Sequence, residues 1–195
     1  MHKWLNSKIL LFSLSSIFLV FLFLGFFDIN SNSKNSNDNN TALLLPSVEK
    51  VIPIRIKIPS IKVDATIISV GLTQLKTMES PKEPGDTAWF KLGASPGEKG
   101  SSVIAGHRGW KTGPAVFDDL DKIQLEDNVY VEDEKGNTLV FVVREMRVYG
   151  ANEIVPEVWN KDDTAHLNLI TCSGDWNEST KTSDKRLVVF TDLAT

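Results

Sequence analysis

The chain carries a single thiol, Cys172, and the residue types that make thiol chemistry workable, histidine and arginine, occur on either side of it. Cys172 stands in the run His166-Leu167-Asn168-Leu169-Ile170-Thr171-Cys172-Ser173-Gly174-Asp175. There Leu167, Leu169 and Thr171 alternate with Asn168, Ile170 and Cys172, the period of a strand. Gly174 is expected to end that strand and leave the thiol at its last position, where a rigid sheet gives way to the loops that present catalytic groups. The contrary reading is a buried thiol acting as a small core hydrophobe, the commonest fate of a free cysteine.

A catalytic thiol needs a proton carrier close to the sulfur. Of the three histidines, His2 precedes a long apolar run and His166 shares the strand and face of Cys172 six positions earlier. At roughly 3.3 Å per residue that separation is about 20 Å, too far to act. His107 remains, in Ala105-Gly106-His107-Arg108-Gly109-Trp110, again where a strand runs out among glycines. Attack on a carbonyl also builds an oxyanion that fixed donors must hold. Arg186 opens the apolar run RLVVF, and a hairpin with the cysteine strand would set it beside Cys172. Its guanidinium presents donors in a rigid fork. Arg108 adjoins His107 but points to the opposite face, and Arg55, Arg144 and Arg147 are expected on solvated strand faces.

These groups are positioned by a chain whose first residues look like a membrane anchor. His2, Lys3 and Lys8 precede an uncharged run over 9–27 that Asp28 closes. At about 1.5 Å per residue the run nearly matches the roughly 30 Å of a bilayer core. Basic residues on its amino side put the amino terminus in the cytoplasm and everything beyond Asp28 outside. The run exceeds a signal peptide's apolar stretch, and no small-x-small cleavage pattern comes after it, so an uncleaved single-pass anchor in the cell membrane is expected. Residues 30–41 (NSNSKNSNDNNT) are too polar to form a core and read as a flexible tether. The expected organisation is therefore a cytoplasmic stub and transmembrane helix over 1–28, a tether over 29–51 and an extracellular catalytic domain over 52–195.

That last segment reads as all-β. Ile54, Ile56 and Ile58 alternate with Arg55 and Lys57, and Ile61, Val63 and Ala65 with Lys62, Asp64 and Thr66. Further short β-branched runs over 87–91, 101–105, 128–133, 138–148, 165–172 and 186–193 are bounded by Gly, Pro, Asn and Asp clusters. Residues 116–125 (VFDDLDKIQL) suggest one helical turn with Phe117, Leu120 and Ile123 on one face. Such a pattern fits a sandwich or a closed barrel, and periodicity does not choose between them.

Composition narrows the chemistry. A formal net charge of −4 gives no reason to expect nucleic acid as a partner. Disulfide exchange through CxxC is excluded, and one cysteine with one usable histidine cannot build a zinc site. Glu79, Glu83 and Asp86, or Asp118, Asp119 and Asp121, carry the oxygen ligands that calcium takes, against the plainer reading of solvated acidic loops. No cofactor is expected. An unpaired cysteine outside the cytosol is flagged as a reactive thiol.

Leu169-Ile170-Thr171-Cys172, with a departure from the family motif at Asn168, resembles the TLxTC-type motif of the sortases, membrane-anchored cysteine transpeptidases of Gram-positive envelopes. Ala105-Gly106-His107 and Arg186 on the following strand match in order and spacing, and the likeness spans about 52–193. The resemblance implies a closed eight-stranded sortase-type β-barrel with short helices, preceded by the single transmembrane helix. It also implies a two-step acyl transfer. Cys172 would cleave an LPxTG-like sorting signal at the carboxyl end of a surface protein, and an amine of a peptidoglycan precursor or a pilin lysine would take the acyl group. His107 would move the protons, Arg186 would bind the oxyanion or the substrate carbonyl, and Thr171 would touch substrate beside the cysteine. Some sortases are calcium-stimulated, which is the weaker expectation here. The lack of a long insertion able to act as a lid disfavours a pilus-building type; the resemblance leaves the subclass unassigned, with classes D, E and F in view. The residues themselves leave two other classes open: an exported cysteine peptidase that hydrolyses without transfer, and a non-catalytic anchored binding domain in which Cys172 is packing.

Overall fold

Alternating aliphatic and polar residues can bury one face of a strand only if the sheet closes on itself or meets another sheet, and here it closes. In the computed structural model, which describes residues 50–111, 113–179 and 182–195, eight strands form one closed barrel. They are β1 (Pro53–Ile58), β2 (Val63–Val70), β3 (Thr87–Phe90), β4 (Gly100–Gly106), β5 (Asn128–Asp133), β6 (Thr138–Gly150), β7 (Ala165–Asn177) and β8 (Thr182–Leu193). Around the barrel the order is β1-β2-β3-β4-β7-β8-β6-β5, with β5 returning to β1. The β2–β3 and β4–β7 pairs are parallel, the rest antiparallel. The expected anchor over 9–27 and tether over 30–41 lie outside the described residues; among those described, no helix is long and apolar enough to cross a membrane.

The barrel interior is filled by the inward members of each alternation, among them Ile56, Ile58, Trp89, Ile104, Val129, Phe141, Val143, Leu167 and Leu169, all essentially inaccessible. Three local expectations are corrected. Ile54 is 41% exposed, because the β1–β5 pairing shifts register between Pro53 and Arg55 and turns it outward. Ile61 belongs to a 3-10 turn over Pro59–Ile61, and Lys62 takes a left-handed conformation before β2 begins. Residues 116–125 form turns and one 3-10 element, Leu120–Lys122, with Phe117, Leu120 and Ile123 all buried. Their spacing of three matches the three residues per turn of a 3-10 helix, so the apolar face is kept without an α-helix.

Gly174 does not end the cysteine strand. β7 and β8 continue past it to the Asn177–Thr182 pair, with a register shift between Ser173 and Trp176. Gly174 sits in that bulge at φ +73°, where a Cβ would meet the Asp184 carboxylate, and Asp175 N donates to Asp184 Oδ1 at 2.8 Å. Bulges bend and re-aim a strand beside a site. Cys172 is thus mid-strand, and Arg186 is likewise inside β8 rather than at its start.

The β5–β6 hairpin is held by Asp133, whose carboxylate accepts from Lys135 N (2.9 Å), Asn137 N (2.8 Å) and Asn137 Nδ2 (2.8 Å). The Asn137 side-chain bond first, then the backbone donors, hold the Asp133 carboxyl below the usual carboxylate range. With a depressed folded-state pKa, this contribution is complete above about pH 4 and is lost as pH falls through the lower folded value. Thermal melts over about pH 6 to 3 are therefore expected to show Asp133→Asn less stable at the upper end, with the two curves converging toward the acid end.

Candidate active site

The parallel pairing of β4 with β7 brings the separate pieces together. Ala105 lies opposite Ile170, and one step further Thr171 Oγ1 donates to Gly106 O at 2.9 Å. His107 directly follows the last residue of β4, and Cys172 directly follows Thr171 on β7. On the other side of β7, the antiparallel register pairs Cys172 directly with Arg186. Cys172 and Arg186 thus lie opposite each other on adjacent strands, and His107 follows the end of β4, the strand on the other side of β7. Along β7, Leu167, Leu169 and Thr171 point into the barrel, while His166, Asn168, Ile170 and Cys172 face out. Cys172 is a free thiol, partly exposed rather than packed in the core.

His107 is held from several directions. Its Nε2 donates to Pro81 O at 2.7 Å, so the neutral ring carries its proton on Nε2 and its lone pair on Nδ1. Trp110 lies against the ring, centroid to centroid 4.8 Å. The His107 backbone carbonyl accepts from Phe117 N at 3.0 Å. Gly106, just before it, is needed for space: a Cβ there would come within 3.0 Å of Phe117 and Val116 side-chain atoms. Arg108 turns away to Asp121 at 2.8 Å, and Asp118 accepts from Gly109 N, fixing the adjoining loop.

Arg186 is positioned by its own strand. Nη1 donates to Ser183 O (2.9 Å) and Lys185 O (2.7 Å), and Nη2 to Thr182 Oγ1 (2.9 Å). These bonds leave donors of the guanidinium to spare. Thr171, expected to touch substrate, instead has its side chain inside, 2% exposed and spent on Gly106 O; an inward position on β7 cannot present a hydroxyl to the outer face. Arg55, Arg144 and Arg147 pair with Asp64, Asp192 and Glu145 on solvated faces. His166 lies between Asp192 and Asp162, away from the thiol.

An open groove of about 580 Å³ starts at Arg186 and Ile170 and runs along the outer face past Val188 to Phe90 and Trp159. Its apolar floor belongs to a second small core of Val103, Val158, Val188 and Phe190. Sequence reasoning missed the groove, because it is assembled from the β2–β3 connection, β3, β6, the β6–β7 connection, β7 and β8. It also missed Pro81, whose contribution is a backbone carbonyl with no residue-type signal, and Trp110, which only its closeness to His107 in the chain could have suggested.

Of the acidic residues, Glu79 accepts from Gly71 N, Asp119 pairs with Lys122 and Asp121 with Arg108. Among the described residues no group of three or more His, Cys, Asp or Glu is arranged to hold a metal ion.

The model of the Sortase domain family matches residues 56–194. The chain belongs to the sortase family. This sortase shares its fold with sortase C-1 from Actinomyces oris, at TM-score 0.58 and 24% identity over 76% of each chain. It is similar also to sortase C1 of Streptococcus agalactiae, solved as a complex with MTSET, at TM-score 0.56 and 22% identity over 73% of this chain and 67% of that one. A third similar structure is group B Streptococcus pilus island 1 sortase C2, at TM-score 0.56 and 25% identity over 76% of each chain. No curated protein matches the chain. The family is one of cysteine transpeptidases acting on sorting-signal surface proteins and pilins.

In this sortase, ¹⁵N-resolved spectra of neutral His107 are expected to show the proton on Nε2; protonation on Nδ1 would contradict the Pro81 bond. Gly106→Ala is expected to lower the melting temperature by several degrees, roughly the effect of about 1–3 kcal/mol of overpacking in a domain of this size. It should also reduce turnover by more than the loss of folded protein, since Phe117 and the backbone of His107 must shift together.

Proposed function

We propose that this sortase cleaves an LPxTG-like sorting signal through a thioacyl enzyme on Cys172 and passes the acyl group to an amine of a peptidoglycan precursor or of another surface protein. The observation that supports this reading is the strand order β4-β7-β8, in which Cys172 pairs with Arg186 and His107 follows the end of β4, while Arg186 also lines an apolar groove. The thiol proton passes to His107, and the sulfur attacks the scissile carbonyl carbon. Arg186 donates to the oxyanion with the guanidinium hydrogens its own strand leaves over. As the C–N bond breaks, the imidazolium gives its proton to the departing amine. The acceptor amine then attacks the thioester, loses a proton to His107, and releases the thiol. The bond between Nε2 and Pro81 O keeps the ring oriented through both half-reactions and leaves Nδ1 as the proton-carrying atom.

The reaction needs no metal or cofactor. Thr171 supports it from inside the barrel by tying β7 to the carbonyl just before His107. In this reading the domain works outside the cell membrane, held there by the apolar run over 9–27 with its amino terminus in the cytoplasm. A purely packing role for Cys172, which a binding domain would require, is disfavoured by its partial exposure.

The test is mass analysis of products from a library of LPxTG-like peptides, with and without triglycine or a diamine, in the presence and absence of a chelator. Aminolysed product is expected, abolished in Cys172→Ala and unaffected by the chelator. Arg186→Lys, which loses the fork, is expected to lower turnover on the order of 10²-fold. Hydrolysis with no adduct at any acceptor would support the peptidase instead, and a Cys172 that alkylating reagents cannot reach in the folded protein would support the binding domain.

A further inference from the structure

The outward face of β7 carries four residues in line: His166, Asn168, Ile170 and Cys172. The last is the thiol and Ile170 lies in the groove floor, so the first two face the connection from β6 to β7 that forms one groove wall. Asn168 is 1% exposed, and its Nδ2 donates to Val158 O at 2.8 Å. Val158 is 4% exposed, packs into the floor cluster, and sits in the 3-10 turn Pro156–Trp159. Next to it, Trp159 meets Phe90 edge-on at 5.2 Å, so that the two walls touch. Two residues before Asn168, His166 Nδ1 lies 2.7 Å from Asp192 Oδ1, and Nε2 lies 3.1 Å from both carboxylate oxygens of Asp162, at the far end of the same connection.

A 3-10 turn of four residues has little stability of its own, and its placement must come from outside. We propose that Asn168, assisted by His166, is a positioning residue for substrate, latching the β6–β7 connection so that the groove meets the sorting signal already formed. This rests on the reading of the groove as the place where the sorting signal binds. A side chain without an N–H donor at 168 leaves Val158 O without its bond and frees the wall, and the peptide must then order the wall as it binds. The cost falls on binding rather than on the acyl transfer, because Cys172, His107 and Arg186 are held by other bonds.

The experiment compares the full-length protein with Asn168→Asp, which keeps the shape and loses the donor, and with Asp162→Ala, at an exposed position. Hydrogen exchange read by mass spectrometry is expected to accelerate about tenfold or more in peptides covering 151–164 of Asn168→Asp, and to stay unchanged over β2. In the same variant KM for the cleaved peptide is expected to rise about fivefold or more with kcat within about twofold. Asp162→Ala, which removes the His166 contact together with the acceptor of Asn160 Nδ2 and Thr164 N, should show the same pattern at smaller size; if Asn168→Asp has no cooperative melt, Asn168→Leu, which loses the donor without adding a carboxyl, decides the matter. Unchanged exchange in 151–164 overturns the latch. Faster exchange with KM unchanged, or with kcat falling instead, overturns its role toward substrate. A wild-type protein that cleaves no sorting peptide counts against the functional reading, and the exchange result then decides alone whether the latch exists.

Discussion

The parallel ladder between β4 and β7 is the constraint on which the site depends, because two strands running the same way end at the same rim, and the residues just past the end of one are delivered beside the other. In a closed barrel no strand can slip without disturbing both neighbours, and a slip of one residue would turn every side chain over. Here it would send Cys172 inward and bring Thr171 out. The last bonds of the ladder guard against that slip: Thr171 Oγ1 on Gly106 O, with Phe117 and Val116 closed over a glycine that leaves them room.

β7 is consequently covered on both faces over part of its length and open over the rest. Its inward side chains are core, and its outward ones pass from a bridged histidine, through a buried amide and a half-covered isoleucine, to an accessible thiol. Asn168 within this strand is held through the bond of its Nδ2 to Val158 O, while its buried Oδ1 has no hydrogen-bond partner among the described residues. Among these outward positions Asn168 is the buried one, and Ile170 contributes to the groove that Arg186 also lines.

Stability and reactivity have separate sources in this fold. The barrel interior, lined by residues such as Ile56, Trp89, Phe141 and Leu169, supplies the hydrophobic term, while ion pairs such as Arg55–Asp64 and Lys99–Asp163 lie in solvent, where each is worth little. The groups at the rim are instead oriented chiefly by bonds to backbone: His107 to Pro81 O, and Arg186 to Ser183 O and Lys185 O beside its bond to Thr182 Oγ1. Backbone carbonyls in a rigid barrel make fixed acceptors, so the site is preorganised without a network of further ionisable side chains.

Period-two alternation made the strands legible from the sequence, since burial of one face depends on residue type alone; the same holds for the apolar triplet Phe117, Leu120 and Ile123. Cys172, His107 and Arg186 stood out because nucleophile, proton carrier and anion-binding fork are chemically distinctive residue types and scarce in this chain. Closure into a barrel, the bulge at Gly174 and the outward turn of Ile54 were set by pairing partners distant in sequence, which no local pattern contains. The inward direction of Thr171, the service of Pro81 as acceptor and the groove itself were likewise decided by tertiary structure. A strand's period says that neighbouring side chains point opposite ways, but which way is in depends on what the rest of the chain encloses.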